Sequence, residues 1–341
     1  MLGIGGIGMS ALARYYHSLG YNLAGYDRTP SPLTQQLENE GMILHYEDDP
    51  DALPALIDFV VYTPAVPKDL REFEALRQRG IPVLKRSEAL GAISKEHFTI
   101  AIAGTHGKTT TTAMIANILN QSGIDTTAFI GGIANNFGSN LLLGKGNDSI
   151  LVVEADEFDR SFLQLEPNIS IVNSIDADHL DIYGDRQHLV ESFNDFAART
   201  EDKVIIKEGL AIQTDRGILF GFGDNCEYRA EILKSERGIT DFVIHYEGHD
   251  TEVQLPMAGS HNVLNATAAF AAARQVGIDP NHIAEALSAF KGVKRRFDIR
   301  INNAKHCYID DYAHHPEEIR ACLTAVKDSF VGKRLTLVFQ P

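Results

Sequence analysis

Residues 98–112, FTIAIAGTHGKTTTT, constrain the fold of this chain more than any other stretch. FTIAIA is a short apolar run that reads as a buried strand, and TTTTAMIANILNQSG reads as a helix ending at Gly123. GTHGK therefore lies between the C-terminal end of a strand and the N-terminus of a helix. Orphan backbone N–H groups and the helix dipole favour an anion there. The usual P-loop pattern, G-x-x-x-x-G-K-[ST], would put a glycine five positions before Gly107, but Ile102 stands there and the nearest upstream glycine is Gly104. A shorter cradle keeps the working parts: the backbone of Gly104, Thr105, His106 and Gly107, Lys108 for the β- and γ-phosphates, and the hydroxyls of Thr109 and Thr110. Of these, Thr109 is placed to ligate Mg²⁺. A tight turn with a surface lysine is the bland alternative, and the strand and helix on its two sides argue against it.

The rest of the chain repeats the theme. Before the cradle, helical runs (SALARYYHSLG, LTQQLENEG, DLREFEALRQRG) alternate with strand-like ones (YNLAGYD, DFVVYTPAV, IPVLKR), the pattern of a parallel sheet flanked by helices. After it come two buried-strand candidates, SILVVEA and ISIVNSI, and the helices HNVLNATAAFAAARQVG and HIAEALSAF. A third block begins near RRFDIR and holds the strand HCYIDDY, the helix PEEIRACLTAVKDSF and a last strand RLTLVFQ. One strand–helix–strand unit is little for a domain, so the reading is a block cut short. With 341 residues the chain suits two or three domains. The formal charge of -15 argues against polyanionic partners such as nucleic acid. No apolar run approaches membrane-helix length, so no membrane insertion is expected. Cys226, Cys307 and Cys322 form no paired motif and fit reduced thiols in a cytoplasmic protein.

Gly3, Gly5 and Gly8 satisfy G-x-G-x-x-G, with Asp27 ending the next strand, which is the dinucleotide fingerprint. Only Met1 and Leu2 precede the turn, so its feeding strand is nearly absent. A bound nucleotide of open identity and a ligand-free glycine turn are both compatible with it. Two acidic clusters follow apolar strands: Glu154, Asp156, Glu157 and Asp159, then Asp176, Asp178, His179 and Asp181. In a parallel sheet the C-terminal strand ends share an edge with the cradle, which would bring both clusters to the phosphates. Hard oxygens with one imidazole suit Mg²⁺ or Mn²⁺. For most of these acids a cap or a solvated loop charge is the simpler role.

The ordered motifs GIGGIGMS, AGTHGKTTTT, EADEFDRSF, DADHLDIYG, GSHNVLNA, RRFD and DDYAHHPEE resemble the Mur ligases, and most closely their alanine-adding branch. The short cradle is that family's own form. The resemblance implies an α/β protein with the three-domain Mur ligase architecture. Residues 1–95 would form a Rossmann-like UDP-sugar-binding domain, 96–294 a central P-loop ATPase domain with a parallel sheet, and 295–341 the start of a truncated C-terminal Rossmann-like domain. It implies ATP, UDP-N-acetylmuramate and L-alanine as ligands. Gly5, Gly6, Met9 and Ser10 would hold the UDP-sugar instead of NAD, with Thr63 and Pro64 as a second contact. Lys108 would be the phosphate lysine, Thr109, Glu154 and His179 metal ligands, and Asn262 and Asn265 would lie near adenine. Arg296 and Asp311 would serve the γ-phosphate and ribose sides, and Tyr312 and His314 the incoming alanine, with His314 as a base. Lys108, His179, Arg296 and His314 make up the implied catalytic set. Several Mur ligases carry a carbamylated lysine 15 positions after the metal histidine; Asn194 occupies that position here, which leaves the second metal's ligands open. A ligase for a murein tripeptide and a non-catalytic nucleotide-binding protein share these motifs and remain alternatives.

Overall fold

The computed structural model describes residues 1–67, 69–146, 148–176, 186–303 and 305–340. It divides into two compact units, Met1–Glu96 and His97–Pro341.

In the first unit the parallel pairs β1 (Ala24–Tyr26) with β2 (Ile43–His45) and β3 (Val60–Tyr62) with β4 (Val83–Lys85) are joined through one residue. Leu2 bridges in parallel to both Tyr26 and Tyr62, donating its N–H to Val61 O at 2.9 Å. The nearly absent strand is thus a single residue in the central place of a Rossmann-type order. Leu2 and Ile4 are fully buried, which fixes where the chain leaves the sheet. The turn then opens into α1 (Ile7–Ser18), followed along the chain by α2 (Pro32–Asn39), α3 (Arg71–Gln78) and α4 (Arg86–Ser94).

The second unit is built on one ten-stranded sheet. Its strands are β5 (Thr99–Ala103), β6 (Thr126–Ala134), β7 (Ser139–Leu142), β8 (Ile150–Glu154), β9 (Ile169–Val172), β10 (Lys203–Lys207), β11 (Gly217–Gly221), β12 (Tyr228–Glu236), β13 (Ile239–Tyr246) and β14 (His249–Leu255). Across the sheet they run β14-β13-β12-β11-β10-β9-β5-β8-β6-β7. The middle, from β12 to β6, is parallel, whereas the β13–β14 hairpin and β7 pair antiparallel at the two edges. The expected parallel sheet is thus the middle of a larger mixed one, with antiparallel strands added at both edges. TIAIA, LVV and ISIV are buried at every position, as strands covered on both faces must be. In β14 burial alternates instead, the pattern of a strand with one face in water.

On this sheet lie α5 (Lys108–Gln121), α7 (Ser260–Gln275) and α8 (Pro280–Ser288); α6 (Arg186–Ala198) precedes α7 in the chain. The run of small residues in α7, AAFAAA, lets it approach α5 closely, and Asn117 on α5 donates to Ala286 O at 2.7 Å in this core. Phe270 fills the space under Tyr228 and Tyr246, with ring centroids 6.2 and 5.2 Å away.

The third block contains an antiparallel pair, β15 (Asp298–Asn302) with β16 (Cys307–Asp310), and the helix α9 (Pro316–Ser329). Ser329 anchors α9 to the β12–β13 turn, accepting from Gly238 N at 2.6 Å. RLTLVFQ is not a strand: it is exposed, and among the described residues nothing pairs with it. Its alternating apolar pattern has no neighbour to hydrogen-bond. Burial of Phe270 sets the first prediction. Phe270→Ala should cost about 3–5 kcal/mol in denaturant unfolding of the second unit. A loss below about 1 kcal/mol would mean that the aromatic cluster is not a packing centre.

Candidate functional site

The cradle begins where β5 ends. Thr105 N donates to Ser174 O at 3.2 Å and His106 N to Ser174 Oγ at 2.8 Å, so the loop is laced to the residues just after β9. Gly107 caps α5 with φ +83°, and a Cβ there would stand 2.5 Å from Asn265 Oδ1 and 3.0 Å from Asn173 Nδ2. Both the left-handed backbone and the close amides demand glycine. Asn262 and Asn265 ride on α7. Gly259, not Asn262, caps that helix; Asn262 Nδ2 donates to Ala258 O at 2.8 Å, and Asn265 Nδ2 to Asn262 Oδ1 at 3.4 Å.

Parallel pairing of β5 with β8 brings the first acidic cluster to the lysine. Lys108 Nζ donates to Gly104 O at 2.6 Å and to both oxygens of Glu157, at 2.7 and 3.0 Å. Thr109 Oγ1 donates to Glu154 Oε2 at 3.2 Å, and Gly131 N, on β6, donates to the other oxygen of Glu154. Burial pushes the carboxyls of Glu154 and Glu157 up from their ordinary values, against the pull of Lys108. Thr109 and Glu154 together offer two hard oxygen donors at one point beside the cradle, which fits Mg²⁺. The implied ligand His179, with Asp178 and Asp181, lies outside the described residues. Asn194 is occupied structurally: its amide donates to Val190 O at 2.9 Å and accepts from Gln213 N at 2.7 Å.

The third block meets the cradle through one carboxylate. Glu318, in the first turn of α9, accepts from His106 Nδ1 at 3.1 Å and from His314 N at 3.2 Å, and its Oε1 lies 3.9 Å from Arg296. Burial raises the Glu318 carboxyl, but these donors outweigh it and hold the group down at about 2. Burial likewise lowers His106, yet Glu318 and Asp176 leave its pKa raised overall. Asp176 lies 3.3 Å from His106 Nε2 but off the hydrogen-bonding line. Asp311 accepts from Phe297 N at 2.6 Å and Ala313 N at 2.7 Å. In doing so it secures a segment in which Arg295 and Phe297 hold φ of +61° and +48°, a strained conformation for side-chain-bearing residues. Arg295 and Arg296 both lie over the Tyr312 ring. His314 is exposed, its Nδ1 3.1 Å from Tyr312 O.

A cleft of about 270 Å³ runs between these parts, lined by Gly107, Thr110, Asn262, Asn265, Arg296 and Asp311 among others. Of the expected ATP residues, His106, Gly107, Thr110, Asn262, Asn265, Arg296 and Asp311 line this cleft, whereas Gly104, Thr105, Lys108 and Thr109 do not. Glu318 and Asn173 also line it and were missed by the sequence reading. Glu318 stands three residues after His315, at the N3 position of a capping box, a signal visible in HHPEE. No such local signal marks Asn173.

In the first unit Gly3 has φ +78°, and a Cβ there would be 2.5 Å from Thr63 Cγ2, so the glycine turn and YTPAV lie side by side. Gly5 N donates to Asp27 Oδ2 at 2.7 Å, which uses the fingerprint acid to brace the turn. Met9 and Ser10 are buried, with Ser10 Oγ donating to Ile7 O at 3.0 Å.

The matches of this chain to known proteins, spread over its whole length, define one class of ATP-dependent ligases. Residues 1–98 match the Mur ligase family catalytic domain, 102–273 the Mur ligase middle domain and 295–341 the Mur ligase glutamate ligase domain. The chain belongs to the Mur ligase family. It is 47% identical to the UDP-N-acetylmuramate–L-alanine ligase of Flavobacterium psychrophilum and 44% identical to that of Christiangramia forsetii, in each case over 100% of this chain and 76% of the relative. The solved UDP-N-acetylmuramate–alanine ligase of Thermotoga maritima superposes with a TM-score of 0.85 at 33% identity, covering 96% of this chain and 77% of that one. A murein peptide ligase from Psychrobacter arcticus gives 0.80 at 27%, covering 98% and 76%.

The geometry at Gly107 yields the second prediction. Gly107→Ala should weaken binding of an ATP analogue at least about tenfold, since left-handed strain and the Asn265 clash each act at the cradle. Unchanged affinity by calorimetric titration would remove this loop from the nucleotide site.

Proposed function

We propose that this chain acts as the ATP-dependent ligase that joins L-alanine to the lactyl carboxylate of UDP-N-acetylmuramate in peptidoglycan synthesis. The observation that carries the reading is the cleft lined by Gly107, Thr110, Asn265, Arg296 and Asp311, with Lys108 and Thr109 next to Gly107 in the chain and Glu154 bonded to Thr109, in a chain so similar to ligases of that name. ATP takes the cradle, its phosphates toward Lys108 and the α5 N-terminus and its base toward Asn262 and Asn265. Arg296 and Asp311 serve the γ-phosphate and ribose sides. Thr109 and Glu154 would hold Mg²⁺, which supplies charge neutralisation to the triphosphate when bound. His179 would complete that set.

The sugar carboxylate attacks the γ-phosphorus, the bond to ADP breaks, and an acyl phosphate forms. Lys108 offsets charge on the transferring group, because positioning and electrostatics are what a protein contributes to phosphoryl transfer. The neutral amine of L-alanine then attacks the activated carbonyl and inorganic phosphate leaves. His314, exposed beside Tyr312, would take the amine proton. In the first unit Gly5, Gly6, Thr63 and Pro64 hold the UDP-sugar, and Met9 and Ser10 contribute through the backbone around which they are packed. Cysteines without partners fit a cytoplasmic setting.

The test is phosphate release with L-alanine, glycine, L-serine and a murein tripeptide as acceptors. Release should require both UDP-N-acetylmuramate and an acceptor, with L-alanine the best. Tripeptide preference would turn the reading to the murein peptide ligase branch, and release independent of acceptor would sink ligation altogether. A second measurement addresses the glycine turn. UDP-N-acetylmuramate should raise the melting temperature and NAD should not, since a ligand that binds only the native state stabilises it by mass action. A shift with NAD alone reverses the assignment.

A further inference from the structure

A lysine ammonium has three N–H donors. In this structure the acceptors around Lys108 Nζ match that number: Gly104 O at 2.6 Å and the two oxygens of Glu157 at 2.7 and 3.0 Å. A phosphate oxygen can reach Nζ only if one of these contacts yields. Gly104 O belongs to the cradle backbone and moves only if the loop moves. Glu157 is the partner able to give way.

We propose that Glu157 is a positioning residue that keeps the phosphate lysine in reserve. Nucleotide binding exchanges part of the Glu157–Lys108 pair for a phosphate oxygen, and Glu157 thereby sets how tightly nucleotide is held. The inference rests on the reading of the cradle as an ATP site. Glu157 is 1% exposed while the Lys108 side chain is 16% exposed, so the carboxylate is the more deeply buried partner and the lysine the one within reach of solvent. A buried carboxylate that loses part of its cation opposes the exchange, because a buried pair is costly to break from one side. The two acids of the cluster divide the work: Glu154 bonds Thr109, on the metal side, and Glu157 bonds Lys108.

The backbone next to Glu157 is suited to a small readjustment. Asp159 and Arg160 hold φ of +54° and +53°, a left-handed pair without glycine, in the 3₁₀ segment Phe158–Gln164. Such strain persists only where surrounding structure enforces it. Two residues further on, Phe162 is fully buried and packs on Phe193 and Phe196 of α6, at centroid distances of 5.2 and 5.1 Å. The far end of the segment is therefore anchored, and Arg160 N donates to Glu157 O at 3.0 Å at the near end.

A static buried ion pair and a reserve pair differ in sign. If Glu157 only builds the site, removing its charge loosens nucleotide binding. If it competes for Lys108, removing its charge tightens it. The experiment titrates a non-hydrolysable ATP analogue with Mg²⁺ into the full chain and into Glu157→Gln, Glu157→Asp, Lys108→Met and Glu157→Gln/Lys108→Met. Glu157→Gln should bind about tenfold tighter. In steady-state assays its KM for ATP should fall together with kcat, because the freed lysine is less well aimed. Glu157→Asp keeps the charge on a shorter stem and should give a smaller gain, and it carries the test if the glutamine variant does not fold. In the Lys108→Met background the Glu157→Gln change should have no effect, the double-mutant signature of a term that passes through the lysine. Weaker or unchanged binding in both Glu157 variants overturns the proposal. Absence of nucleotide binding by the wild-type chain overturns the ATP-site reading instead.

Discussion

The hydrogen bonds between the cradle and Ser174 are what the rest of the site depends on. Thr105 N, His106 N and the Thr105 hydroxyl all meet the backbone or hydroxyl of this one residue just beyond β9. A phosphate loop works only if its N–H groups hold one geometry, and isolated loops do not supply it. Here the geometry is borrowed from the sheet. The pairing of Ala103 with Val172 sets where Ser174 falls, and the pairing of Ile102 with Glu154 sets where the acids fall. A slip of one residue in either ladder would turn alternate side chains to the opposite face.

Against this rigid half, the third block is held by polar ties. Glu318 gathers His106, the His314 backbone and Arg296, while Asp311 secures the strained turn at Arg295–Phe297. Apolar packing supplements them: Phe297 and Ala325 join the core of the second unit, and Ile299, Ile309, Cys322 and Val326 lie partly buried against it. Directional contacts of this kind set an angle between parts and can be exchanged for ligand contacts at small net cost, because each is replaced rather than lost. That is a suitable construction for a part that, in the proposed function, meets an incoming amine.

Much of this was legible in the sequence because the signals are local. A strand, a glycine turn and a helix start follow one another within the stretch Phe98–Thr112, and each acidic cluster directly follows its strand. What escaped is non-local. The sequence brings the cluster that holds Glu157 to the cradle but does not single out its pairing with Lys108, 49 positions away, and nothing near Asn173 marks it as cleft lining. The long antiparallel strands β12–β14 supply half of one sheet flank and went unread, their alternation being interrupted by charged residues such as Glu231, Lys234 and Glu236. The strand expected at RLTLVFQ failed for the opposite reason. Its local pattern is good, but a strand is completed by a neighbour, and among the described residues it has none.

The order of strands in the ten-stranded sheet has a further consequence, for the birth of the protein rather than its working life. β5 lies between β8 and β9, and its pairing with β9 joins Ile100 to Ile169. Contacts so distant in sequence incur the entropy of closing a long loop before they return any stabilisation, and parallel ladders of this type form slowly. While the chain emerges from a ribosome, the cradle sequence is complete long before Ser174 exists to shape it. The nascent protein therefore passes through an interval in which it possesses every residue of the proposed phosphate loop but not the serine that shapes it.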